Sequence, residues 1–140
     1  MVTEAALTTL AKNKRWAELY NIAHKAGHEA AKASTPAPMV VTGHTNPLDD
    51  NSPVENAWYV PEGVCGFAWV VLKPGTHSFV RWLKKEGHAN PEYQGGYSIW
   101  VSDYGQSMQR KEAYARAFSD TLREAFEGTN LRIYPQSRMD

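Results

Sequence analysis

Two short loops, each between a predicted strand and a predicted helix, carry the residue types that hold anionic oxygen. The first is Lys73-Pro74-Gly75-Thr76-His77-Ser78, and the second is Ser102-Asp103-Tyr104-Gly105-Gln106-Ser107, which leads into Arg110 and Lys111. A helix N-terminus presents unpaired N–H groups and a positive dipole end, and glycine lets a ligand approach the backbone closely. The ligand-binding set is then Lys73, Gly75, Thr76, Ser78, Asp103, Gly105, Ser107 and Arg110, with His77 as the acid/base candidate. If the two preceding strands are parallel neighbours, both loops fall at one sheet edge, where open α/β sheets bind ligands. Neither loop matches GxxxxGK[ST] or GxGxxG. The plainer reading is helix capping by Thr76 and Ser107 beside turn glycines.

Metal chemistry has a thinner basis. His24 and His28 stand four apart on a predicted helix, so their imidazoles share a face, and His44, Asp49 and Asp50 in the following loop would complete a His/carboxylate set. Between the histidines stand Lys25-Ala26-Gly27 rather than the general base of H-E-x-x-H, so solvated surface histidines are the plainer reading. Asp49-Asp50 resembles an acid/base pair, but in a proline-rich loop aspartate more often makes turns. Cys65 lies beside Phe67 and Trp69 in an apolar strand, where a thiol is expected as a small core residue. There is no GxSxG elbow.

The elements that position these residues follow from periodicity. Trp16, Leu19, Tyr20, Ala23, Gly27 and Ala30 form an apolar helical stripe, with a break expected at Asn13-Lys14 after a short helix from about Thr3. Residues 34–63 hold five of the eight prolines and four acidic residues without a basic one, which reads as an extended acidic connection (34–56) suited to docking a partner. Ala57–Val60 and Val64–Leu72 read as a hairpin across Pro61-Glu62-Gly63. A short helix around Phe79, Trp82 and Leu83 stops at Gly87. A strand follows at Tyr97–Val101, then a helix through Met108, Ala115, Phe118, Leu122 and Phe126 to Gly128, then a strand at Leu131–Tyr134. The terminal Ser137-Arg138-Met139-Asp140 reads as a docked tail or a frayed end.

Composition bounds the rest. The 140 residues suit one domain (1–33 helical, 34–56 connecting, 57–140 mixed α/β), and 15 basic residues balance 15 acidic ones. No apolar run approaches the ~18 residues that span a membrane, and the N-terminus lacks a signal-peptide core. One cysteine makes no internal disulfide. Neutral charge, the alternating signs around Arg110, Arg116 and Arg123, and the expected burial of Trp69, Trp82 and Trp100 together argue against a nucleic-acid partner.

Pro38-Met39-Val40-Val41, Gly63-Val64-Cys65-Gly66-Phe67-Ala68-Trp69-Val70, Phe79 with Trp82-Leu83, and Ser137-Arg138-Met139-Asp140 resemble small proteins of tailed bacteriophages that have no assigned chemistry. The likeness spans roughly residues 15–140. It implies a place in the host cytoplasm during infection, or in the virion, and it brings no catalytic residue.

The expected fold is α+β, an N-terminal helical region followed by a small mixed sheet of three to five strands packed with two helices. The expected function is a phage-type interaction protein, not an enzyme, that contacts a host or phage protein, with homo-oligomers possible and no cofactor. The alternative is a small enzyme or binder for a phosphorylated or nucleotide ligand at loops 73–78 and 102–110.

Overall fold

The computed structural model describes residues 4–44, 48, 51 and 54–140, with only the backbone described at 4–10, 39–44 and 54–60. The elements are α1 (Glu4–Ala33), β1 (Met39–His44), β2 (Val54–Val60), β3 (Gly66–Lys73), α2 (Ser78–Lys85), β4 (Asn90–Pro91), β5 (Tyr97–Trp100), α3 (Met108–Ala125) and β6 (Arg132–Met139). The fold is α+β, as expected. Its main sheet has the order β4-β5-β3-β6, and every ladder in it is antiparallel rather than mixed.

Three expected elements differ. Asn13-Lys14 does not interrupt α1, which runs unbroken for 30 residues, because neither residue removes a backbone donor. The acidic connection contains a β-hairpin, and β2 pairs with β1 rather than with β3. The ends of this hairpin meet. A Cβ on Gly63 would lie 2.6 Å from the Ala37 carbonyl oxygen, and Ala37 N–H donates to Gln109 Oε1 at 2.5 Å. The C-terminal tail belongs to β6, which pairs along the whole of β3 from Lys73↔Arg132 to Gly66↔Met139.

All three helices contribute to one core on one face of the main sheet. From β3 that face presents Gly66, Ala68, Val70 and Leu72, all buried, and the register adds Ile99 from β5 and Ile133 from β6. α3 crosses them with Tyr114, Ala115, Phe118 and Leu122, and α2 adds Phe79, Val80, Trp82 and Leu83. α1 closes over α3 through its small residues. A Cβ on Gly27 would sit 2.7 Å from the Tyr114 ring, so glycine sets the closeness of the two helices.

The caps are local chemistry. Ser107 Oγ accepts Arg110 N–H at the start of α3, as expected. At α2 the cap is His77, not Thr76: His77 Nδ1 accepts Phe79 N–H at 3.1 Å. Burial lowers the His77 pKa below 6.5. A lowered folded-state pKa means that the unfolded chain takes up the proton first. The contribution of His77 to stability is therefore complete above the ordinary histidine pKa and fades as pH falls below it, when a proton on Nδ1 also removes the cap acceptor. His77→Asn keeps an acceptor that does not titrate there. Its urea midpoint should fall less than that of the wild type on going below pH 6.5. Parallel acid profiles would refute the role of the cap.

Candidate functional site

The two strand-to-helix loops lie at opposite ends of the sheet. β3 and β5 are antiparallel, with Leu72 opposite Tyr97 and Trp69 opposite Trp100, so Lys73–Ser78 leaves one end while Ser102–Ser107 leaves the other. The second loop packs instead on the start of β3, where Cys65 bridges Ser107 and Gly66 N–H donates to Gln106 O. The expected set is thus divided.

Its members have other partners. Arg110 pairs with Glu62 at 2.7 Å and donates to Ala31 O at 2.8 Å, tying the end of α1 to the end of the hairpin. Ser107 Oγ also donates to Glu62 O, and Lys73 Nζ donates to Gln94 O at 3.3 Å. A Cβ on Gly75 would meet the Tyr97 ring at 2.7 Å, so its openness serves packing. Thr76, Ser78, Asp103 and Gly105 are exposed. Cys65 is exposed too, contrary to the core position expected, because β3 proper begins one residue later.

His24 and His28 do share a face, and tyrosines occupy it with them. His24 Nδ1 lies 2.5 Å from the Tyr114 hydroxyl and His28 Nδ1 lies 2.8 Å from that of Tyr104. Tyr104 reaches this place from a left-handed backbone, φ 72°. Burial raises the Tyr114 pKa, with smaller contributions from Tyr20, Tyr104 and Asp103, so its phenol keeps its proton and can donate it to His24. The pairs clasp α1 onto α3 and its leading loop. Among the described residues no three of His, Cys, Asp and Glu gather to hold a metal. His44 is described in its backbone only, and Asp49 and Asp50 lie outside the described residues.

The feature missed from the sequence is the other face of the main sheet. Side chains alternate along a strand, and directly opposed residues share a face. This face, which no helix of the described residues covers, therefore carries Phe67, Trp69, Val71 and Lys73 from β3, Ser98 and Trp100 from β5, and Arg132, Tyr134, Gln136 and Arg138 from β6, with Val71 and Ser98 buried beneath their larger neighbours. Trp69 and Trp100 stack in parallel across the strands, centroids 4.6 Å apart and planes 15° apart. Phe67 stands edge-on to Trp100 at 6.1 Å. Trp100 is 42% exposed, so it is not the core residue expected, whereas Trp82 is. Trp69 is half-buried, and its Nε1 is buried with no hydrogen-bond partner among the described residues.

Cations border these rings. Arg138 lies 5.4 Å from the Phe67 centroid and Lys73 lies 5.8 Å from that of Tyr134. Lys111 reaches Phe67 from α3. Only 5% exposed, it donates Nζ to Gly66 O at 3.2 Å and sits 5.4 Å from the ring. None of the ten outward positions on β3, β5 and β6 is a carboxylate. A signal for this face exists in Gly66-Phe67-Ala68-Trp69, a small/large alternation whose small residues lie under α3. It is hidden because both faces are apolar.

No family model, curated protein or solved structure matches the chain. Among the described residues no helix is long and apolar enough to cross a membrane.

Proposed function

We propose that this protein is a non-catalytic binding protein whose ligand is single-stranded nucleic acid, held on the helix-free face of the main sheet. The observation that carries this reading is the Trp69–Trp100 stack, whose outer ring Trp100 is exposed, bordered by Lys73, Arg132 and Arg138 with no carboxylate among them. Every nucleobase offers a π-face, so flat aromatic rings on a sheet accept unpaired bases whatever their sequence. The cations stand where a sugar–phosphate strand crossing the sheet would place its charge. A chain of zero net charge can do this when its cations are segregated, as they are on this face. Of Trp69, Trp82 and Trp100, all expected in the core, Trp82 is buried and Trp69 half-buried, whereas Trp100 is exposed and presents a ring on which a base can stack. The division of the two loops likewise removes the geometric premise of a phosphate-acting enzyme.

The test is fluorescence anisotropy with an end-labelled 12-mer of deoxythymidine or uridine and a duplex of the same length. Binding should favour the single strands. Three phosphate contacts give log K against log salt a slope of about −2. Stacking is worth about 1–3 kcal/mol per base, so Trp100→Ala should weaken binding roughly 5- to 150-fold. Its melting temperature should barely change, because the ring is largely outside the core. Unchanged affinity in Trp100→Ala, or no binding of either single strand, would sink the proposal. The second result would return the face to protein contacts.

A further inference from the structure

A second surface, on the helical side of the molecule, is independent of the sheet face. Two troughs flank Trp16 of α1, and both reach Ser78 at the start of α2. The larger, about 480 Å³, is bounded by Leu19 and Ile22 of α1 and by Phe126 after α3. Its floor is aromatic: Trp16 lies 5.8 Å from Phe126 and 5.3 Å from Phe79. Ile22 projects beside it, 59% exposed, so the apolar surface continues to solvent. The smaller, about 320 Å³, is bounded by Lys12 and Asn13 of α1 and by Arg81 and Lys85 of α2.

The two troughs differ in character. Lys12, Arg81 and Lys85 converge on the smaller one, and none of them has a carboxylate partner among the described residues. Arg15 lines the larger trough, where Glu18 also stands, and lies over the Trp16 indole at 6.0 Å. One carboxylate, Glu18, lines the pair, and it stands on the larger trough and not on the smaller. Uncompensated cations at one end of an apolar trough are complementary to a molecule with an acidic head and an apolar body. A wholly apolar ligand would leave the charged end unused. A free inorganic anion would find three exposed cations and no enclosure.

We infer that this paired trough is a binding site for a small amphipathic anion, with its aryl or acyl body over Leu19, Ile22 and Phe126 and its acidic group at Lys12, Arg81 and Lys85. Trp16 is the divider against which the ligand turns from apolar to charged surroundings.

The experiment uses two probes that share one ring system, 8-anilinonaphthalene-1-sulfonate and its neutral counterpart N-phenyl-1-naphthylamine, titrated into the full chain by fluorescence. The sulfonate should bind saturably, one per chain, at least about tenfold more tightly than the neutral probe. The double variant Arg81→Ala, Lys85→Ala should lose about tenfold for the sulfonate and keep the affinity for the neutral probe. Both residues are exposed and make no ion pair among the described residues, so the fold should persist, and an unchanged melting temperature checks that. Lys73→Ala, on the opposite face of the sheet, should leave both probes unaffected. Equal affinity for the two probes would reduce the site to an apolar crevice and overturn the inference. So would sulfonate binding that the double variant leaves intact, or no saturable binding.

Discussion

Replacing Phe118 by alanine should lower the unfolding free energy by about 3–5 kcal/mol, the cost of emptying an aromatic site in a packed core. Phe118 is fully buried in the middle of α3. Its ring meets Tyr20 of α1 edge-on at 5.8 Å and stacks near Tyr114 of its own helix at 5.7 Å. Among the described residues α1 makes no backbone hydrogen bond to the sheet, so its attachment depends on such side-chain contacts and on the His–Tyr pairs beside them. The cavity cannot close by simple collapse, because Gly27 already sits against Tyr114. For a chain of this length the loss corresponds to a fall in melting temperature of roughly 10–20 °C. The helix-free face of the sheet does not involve Phe118. Well below the new transition, oligonucleotide affinity should therefore stay at the wild-type value. A loss under about 1 kcal/mol would show that α1 is held elsewhere.

Gly96→Ala should cost about 2–4 kcal/mol, for a different reason. Gly96 follows the turn in which Glu92 N–H donates to Gly96 O and Gly95 N–H to Glu92 O, and it leads into β5 with φ 74°. A residue with a Cβ is strained in that conformation by ~1 kcal/mol or more. The added methyl would also overlap the Leu72 carbonyl oxygen and come within 2.5 Å of Lys73 Cγ. The first of these is backbone of the central strand and cannot move aside, which adds the ~1–3 kcal/mol of overpacking. Gly95→Ala is the control. Its φ is 104°, yet a Cβ there meets nothing within 4 Å, so it should show the backbone strain alone. Urea unfolding of the two variants checks the difference. Equal costs would mean that the turn shifts to accept the methyl. The turn itself joins β4 to β5, and Gly96 abuts the Leu72 backbone of β3, next to the ladder that places Trp100 over Trp69.

Much of this molecule is determined within a few residues of chain, and that part was legible. The span of α2 up to Gly87, the Ser107 cap of α3 and the strand after Gly95-Gly96 depend on local propensity, side-chain capping and glycine turns. The α+β class follows from the change of hydrophobic period. Other features required knowing what lies opposite. Strand direction is a non-local property: nothing in Val64–Leu72 or Tyr97–Val101 states that they run antiparallel, and that alone separates Lys73–Ser78 from Ser102–Arg110. Likewise, β2 carries nothing that names β1 as its partner.

The orientation of β3 was the costliest ambiguity. Gly66, Ala68, Val70 and Leu72 alternate with Phe67, Trp69, Val71 and Lys73, and hydrophobicity alone would bury the larger rings. The structure buries the smaller residues because α3 lies close above them. Met108 approaches to 2.6 Å of where a Gly66 Cβ would stand, and no indole fits in that space. Turns, caps and helix spans were readable from the residues alone, since those choices are settled by neighbours along the backbone. Which apolar face stays open is settled in three dimensions, since that depends on how much room the facing helix leaves.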